Sequence, residues 1–347
     1  MSSLQISLAV AGGLVLAAVV AHSAWSSRKN APRQPQPELP PPQGADAPGE
    51  SLSEDQRQEP RFDGALAPLP HPEKKLGLDA LIDVIAPIAL DGLVSGDAAL
   101  AAMPSTRRAG SKPFAIEGWN DALRQWETPA AGQRYRAFQA GVQLANRTGH
   151  LNEIEYSEFV MKAQGFADAV NGAPEFPDMI EEVGRARELD QFAGDHDAQL
   201  EFTLRARSAA WSPGYVQQHA ARLGFVAGSL PGRMVLPSGT PGMPALLGLA
   251  FDSQAALSED PDQSAIREVA LSLDVPQVPR EERPFVRLRD AAIALAASMD
   301  GLITDDNRQV IPVESLDRIG AELEQLYDTL EARDLAAGSP QARRLFS

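Results

Sequence analysis

The sequence predicts an α+β protein in which one mixed helix–strand unit occurs twice, behind a single membrane-spanning helix and a proline-rich linker. Three observations carry this reading. Residues 4–25, from Leu4 to Trp25, form an apolar run without Asp, Glu, Lys or Arg. Prolines then crowd residues 31–72. Beyond them, two stretches of helical apolar spacing recur at one constant offset, that from Tyr156 to Phe285, each after an alternating segment and each ending in Asn-Gly or Asp-Gly.

The apolar run has the roughly 20-residue length that crosses a hydrocarbon core. Only Met1, Ser2 and Ser3 precede it, whereas Arg28, Lys29 and Arg33 follow. An export signal carries its positive charge ahead of the apolar stretch, which is the opposite arrangement. Cytoplasmic flanks collect Lys and Arg, so residues 1–3 are expected in the periplasm and the bulk of the chain in the cytoplasm of a bacterial inner membrane. Trp25 stands where an interfacial aromatic belongs. Leu4, Trp25, Arg28 and Lys29 therefore mark the anchor.

Residues 26–77 read as a linker. Prolines stand at 32, 35, 37, 40, 41, 42, 48, 60, 68, 70 and 72, with Gln, Glu, Ser and Asp filling most of the gaps. Such a segment has too little apolar surface to offset its ordering entropy, so it is expected to be disordered with extended stretches. At ~3.1 Å per residue it would hold a domain on the order of 100 Å from the bilayer. The spacings Pro32 to Pro35 and Pro37 to Pro40 offer short Pro-x-x-Pro ligands.

From about residue 78 the chain has globular composition. Tyr156, Phe159, Ala163, Phe166 and Val170 share one helical face, as do Phe285, Leu288, Ala292, Leu295 and Met299. Asn171-Gly172 and Asp300-Gly301 then fit helix C-terminal caps. The segments 141–146 and 270–275 alternate with period two, as half-buried strands do. A second amphipathic helix follows each first one, through Ile180 and Val183 in one copy and Leu316 and Ile319 in the other. Strand-like runs at 81–85 and 200–205 begin the copies. Strand, helix, strands, helix is the order of a split βαβ sandwich. The domains are expected at 78–194 and 195–340.

Composition narrows function by exclusion. The formal net charge is −16 and the pI about 4.8. Nucleic-acid binding needs a basic footprint, so no nucleic-acid partner is expected. The chain has no cysteine, hence no disulfide framework. His22, His71, His150, His196 and His219 form no metal-binding spacing, and Asp195-His196-Asp197 reads as a solvated loop between the copies. Asp305-Asp306-Asn307 lacks the glycine and closing Glu of a calcium loop. There is no phosphate-binding glycine loop and no nucleophile elbow. Asn146-Arg147-Thr148 fits a glycosylation acceptor, which has no meaning in a bacterial cytoplasm. No catalytic residue, cofactor or metal is called for, and a non-enzymatic role is expected. Trp119, Trp126 and Tyr135 offer surface anchors for a peptide, with core or edge packing the preferred reading.

The C-terminal part of the chain, from Gln199 on, resembles a known family. A strand at 199–206 leads to a helix through Tyr215 and Leu223, then to Gly224-Phe225. A strand follows in Pro-Ala-Leu-Leu-Gly-Leu at 244–249, then Val-Ala-Leu-Ser-Leu-Asp-Val-Pro at 269–276. A helix at 285–299, the run Gly-Leu-Ile-Thr-Asp-Asp-Asn at 301–307 and a long helix at 313–331 complete the order. This order resembles the C-terminal domain of the ZipA family of membrane-anchored cell-division proteins. The anchor and Pro/Gln-rich linker match that family's layout as well. The resemblance implies a sheet with helices on one face and a shallow groove on the other for the C-terminal peptide of FtsZ. It further implies a tether for the Z-ring on the inner membrane at the septum. Thr203, Arg205, Ser272 and Asp274 would then lie on the peptide-binding face. The family tends to place a large apolar side chain where Ser272 stands. That difference supports an alternative, a membrane-anchored division scaffold that binds a different partner or self-associates. Phe114, Ile116 and Phe138 in the first copy offer an alternative binding face, although ordinary core is the preferred reading of these three residues.

Overall fold

The computed structural model describes residues 32–35, 77–258, 260, 264–305 and 307–347. The anchor residues Leu4, Trp25, Arg28 and Lys29 lie outside them. Among the described residues no helix is long and apolar enough to cross a membrane. The described chain is a mixed helix–strand structure built on two antiparallel sheets.

The first lobe begins with β1 (Asp83–Ser95), whose alternate residues Val84, Ala86 and Ile88 are buried. Ser95 ends the strand and caps α1 (Gly96–Ala102) by accepting from the Ala98 amide. Strands β2 (Arg108–Ala109), β3 (Lys112–Asn120), β4 (Gln125–Glu127) and β5 (Arg134–Gln143) follow. After the short pair β6 (Ala145–Asn146) and β7 (Gly149–His150), Asn152 and Glu155 close a reciprocal capping box on α2 (Glu153–Ala169). The predicted face of α2 is the buried one: Tyr156, Phe159, Ala163, Phe166 and Val170 are each at most 6% exposed. Strand β8 (Gly172–Pro174) returns to the sheet, and α3 (Met179–His196) completes the lobe. The strands lie in the order β2-β3-β5-β1-β8, with β4 off β3.

Only Asp197 and Ala198 separate α3 from β9 (Gln199–Ala206), which opens the second lobe. Ser212 and Pro213 start α4 (Pro213–Arg222), the hydroxyl accepting from the Tyr215 amide. Strands β10 (Val226–Ala227), β11 (Arg233–Leu236) and β12 (Leu247–Ala250), the single turn α5 (Ser253–Ala256) and β13 (Glu268–Asp274) come next. Helix α6 (Pro284–Met299) buries Phe285, Leu288, Ala292, Leu295 and Met299, again the predicted face. Strand β14 (Gly301–Thr304), α7 (Val313–Glu331) and α8 (Pro340–Leu345) end the chain. The order is β10-β11-β12-β13-β9-β14.

The two lobes share one connectivity. β3-β5-β1-β8 in the first corresponds to β12-β13-β9-β14 in the second. Ile88 lies between Phe138 and Pro174, and Leu204 lies between Val269 and Ile303. Pro174 and Ile303 keep the separation of Tyr156 and Phe285, as expected, but Phe138 and Val269 lie two positions further apart. The strand alignment is therefore shifted by two from the sequence reading. A shift of two keeps every side chain on its face, because the period is two. The caps differ as well. The left-handed residues are Asn171 (φ 54°) and Asp300 (φ 55°), not the glycines after them. Gly172 and Gly301 answer to space: a Cβ on Gly172 would lie 2.7 Å from Ile88 Cγ2, and one on Gly301 3.3 Å from Trp211.

Two boundaries also shift. Residues 341–347 fall outside both predicted domains, yet Ala342, Leu345 and Phe346 are buried in the first lobe's core, together with Leu330 and Leu335. The C-terminus of the chain thus completes the first lobe. The buried Asp83 carboxylate accepts from both terminal guanidinium nitrogens of Arg344, and the Gln277 side-chain amide donates to the Phe346 carbonyl over 2.7 Å. Within the expected disordered linker, Arg33 is ordered and forms a parallel bridge with Trp211.

Candidate functional site

The second sheet buries one face and leaves the other open. Phe202, Leu204, Val269, Leu271, Leu273, Leu247 and Leu249 point to the helices and are at most 3% exposed. The residues between them therefore line the opposite face. Pairing sets their neighbours: Thr203 stands beside Ala270, Ser272 between Glu201 and Gly248, and Ala250 between Ala270 and Arg233. The centre is a shallow floor of small side chains, Gly248, Ala250, Ala270 and Ser272. Half-buried Val235 and Leu302 flank it on β11 and β14.

Thr203, Arg205 and Ser272 all lie on this face. Arg205 is not free, since its Nε lies 3.0 Å from the Glu268 carboxylate across the strand pair. Asp274 begins in the same row but is engaged at the junction of the lobes. Arg147, in the turn between β6 and β7, makes two forked contacts there. It donates to Asp197 over 2.6 and 2.8 Å and to Asp274 over 2.7 and 2.8 Å. These contacts hold its guanidinium charged, with its pKa raised. Asp274 therefore links the lobes through Arg147.

Sequence reasoning missed Arg147, which sits inside the discarded glycosylation triplet. The triplet is a built turn. Asn146 Oδ1 accepts from the Thr148 amide and hydroxyl, and the buried Lys112 ammonium donates to Asn146 Oδ1 (3.0 Å) and Thr148 Oγ1 (3.3 Å). Burial holds the Lys112 pKa below the usual lysine value. The alternation in β3 and the Asx-type turn chemistry are the signals that could have found this arrangement. The Asp195-His196-Asp197 cluster belongs to the same junction. His196 stacks on Phe192 with ring centroids 4.2 Å apart, and Asp197 faces Arg147. Among the described residues no group of three or more His, Asp or Glu is placed to hold a metal ion.

Of the two readings of the first copy's apolar strand residues, the core one holds and the alternative binding face does not. Phe114, Ile116 and Phe138 are 4%, 1% and 0% exposed and pack inward. Phe114 meets Phe159, and Phe138 meets Phe166 edge-on at 5.0 Å. Large apolar groups on these strands are captured by α2, the nearest apolar surface. The opposite face of that sheet carries Glu117, Gln139 and Gly141, and the chain's own residues 77–79 run over it. The Leu78 amide donates to Glu117 Oε1 (3.1 Å), Gln139 donates to Glu117 Oε2 (2.8 Å), and a Cβ on Gly141 would lie 2.5 Å from Leu78 Cδ2. Gly141 lies between Ile85 and Ala115, as Ser272 lies between Glu201 and Gly248. The two positions are equivalent, and among the described residues only the first is covered by a leucine from the same chain.

Of the expected packing aromatics, Tyr135 is fully buried, while Trp119 and Trp126 pack edge-on at 5.4 Å at the margin of the first sheet. A second hollow, of about 260 Å³, lies between α6 and α7 and is lined by Phe285, Arg289, Gly320, Leu323 and Tyr327. Its rim is charged: Arg280 pairs with Glu324 and Asp328. No protein-family model matches the chain, and no curated protein sequence matches it.

Proposed function

We propose that this chain is a non-enzymatic membrane tether resembling the ZipA family. In this reading it is built from a tandem duplication of a split βαβ unit and held in the inner membrane by residues 4–25. Its second sheet binds the C-terminal peptide of FtsZ, or of another division protein, on the open face around Thr203 and Ser272. One observation carries the choice of face. At the equivalent place in the first lobe, Leu78 already lies on Gly141, so that trough is filled in cis, whereas the floor around Ser272 has no such occupant among the described residues. An extended peptide offering a leucine-sized side chain would fit the second trough as Leu78 fits the first. Tethering works by effective concentration, so a modest affinity suffices when both partners crowd one membrane surface.

A floor of glycine, alanine and serine supplies no large anchor, and anchors carry most of the energy at such interfaces. The expected Kd of the full chain in detergent for the FtsZ peptide is therefore on the order of micromolar or weaker. Ser272→Phe should tighten it. Gly248 leaves room across the strand pair, and an aromatic ring can lie over a cross-strand glycine. Fluorescence anisotropy with a labelled peptide reads both. Absence of binding at high micromolar concentration by both wild type and Ser272→Phe removes the FtsZ reading and leaves the scaffold that binds another partner or itself.

A further inference from the structure

We propose that the shelf formed by residues 208–212 and the C-terminal end of α6 is a docking site for the chain's own residues 32–35, seated by Arg33. The backbone of Arg33 adds to Trp211 as a short strand. Its amide donates to the Ala210 carbonyl over 2.7 Å, and its carbonyl accepts from the Ser212 amide over 3.0 Å. Trp211 in turn bridges Ile266 on its other side, so the added segment continues an existing ladder. This is strand addition to a free edge, in which main-chain bonds give affinity and one side chain gives specificity.

The side chain is that specificity element. Arg33 Nη2 reaches Asp300 Oδ2 at 2.7 Å, and Nη1 donates to the Met299 carbonyl at 3.2 Å. Ser208 donates to the same Asp300 oxygen over 2.8 Å and orients it. Met299 also accepts from the Trp211 indole, which is fully buried. The end of α6 exposes carbonyls, where the helix dipole favours a cation. The site is thus an arginine socket: carboxylate, helix-end carbonyl and a strand edge at fitting distances.

The docked segment changes what the linker can do. The eight peptide units from Trp25 to Arg33 reach at most about 28 Å, against up to ~180 Å for the 52 units from Trp25 to Gly77. With the socket filled, the second lobe is held close to the end of the apolar stretch. The docking itself does not depend on the membrane reading.

The absence of native cysteine makes the test direct. Spin labels go on the full-length chain at exposed Pro35→Cys and at Ala221→Cys near the end of α4, and pulsed dipolar spectroscopy is run in detergent. A single narrow distance distribution is expected. Arg33→Ala should abolish the narrow peak, and so should Asp300→Asn, which keeps a residue that tolerates positive φ. Circular dichroism melts should change little, since both side chains keep about a third of their surface in solvent. Tenfold dilution with unlabelled chain should leave the peak intact. A broad distribution in the wild-type pair, a peak that survives Arg33→Ala, or a peak lost on dilution (occupation by a second copy) would each overturn the proposal.

Discussion

Phe346, the penultimate residue, is 1% exposed in the core of a lobe whose first strand begins at Asp83. If the C-terminus completes that core, Phe346→Ala must destabilise a sheet that lies at the opposite end of the globular sequence. Removing a buried phenylalanine side chain typically costs about 3–5 kcal/mol through lost transfer energy and the residual cavity. The lower end applies here, because α8 is a short, six-residue helix that can settle partly into the space. Gln277 and Asp83 still hold the segment through the Phe346 carbonyl and Arg344, so the backbone should stay docked. A loss of about 3 kcal/mol, on the order of 100-fold in the unfolding constant, is expected. Urea unfolding gives the total. Hydrogen exchange locates it: amides of β1, β5 and α2 should exchange faster, while those of β13 and α6 should change less. Phe346→Leu, closer in volume, should cost under about 1.5 kcal/mol. A loss below about 1 kcal/mol for Phe346→Ala, well under the usual range for a buried ring, or faster exchange confined to residues 340–347, would refute the idea that the tail is part of the first core.

Arg147→Ala should cost about 1–2 kcal/mol in urea unfolding, because it breaks two forked contacts and leaves Asp197 and Asp274 facing each other. The loss should shrink in about 1 M salt, which screens partly exposed charges. An effect below about 0.5 kcal/mol at low salt, within the range of an ordinary surface pair, would show that the junction rests on apolar contacts alone. Lys112 gives a pH test. Burial lowers its folded pKa, Glu155 and Asp190 oppose that and Arg108 adds to it, with the net shift downward. The unfolded chain then binds the proton more tightly, so stability should rise with pH through the interval between the lowered folded pKa and 10.5. Lys112→Met should flatten that part of the curve, and parallel curves for wild type and variant would exclude Lys112 as its source.

Whatever is written in local periods was legible from the residues themselves. Spacings of three and four put Phe159 and Phe166, and then Leu288 and Leu295, on buried helix faces, because a helical stripe is fixed by which neighbours fall on one side. Alternation placed Leu271 and Leu273 inward and Ser272 outward, whatever the exact register. The repeated order of elements showed the shared connectivity of the lobes. Where the sequence reading failed, the deciding contact lay far away along the chain. Phe114 and Phe138 have the pattern of either a core or a binding face, and only the position of α2 tells which. Glycine after Asn171 or Asp300 reads as a cap, but what bears on these positions is space: Ile88 leaves too little room for a Cβ at 172, and Trp211 crowds one at 301. Arg33, Leu78 and Phe346 carry no local signal, and the turn chemistry around Arg147 marks a turn without naming its partners. Each is one residue in a polar or terminal stretch, and each acquires its role from a distant partner or from the opposite lobe: Asp300, Gly141, Asp274 and the first core. Periodicity can report the face a residue presents, but the partner on that face is set by how the two sheets and the chain ends come together, and those long-range contacts exist only in the folded chain.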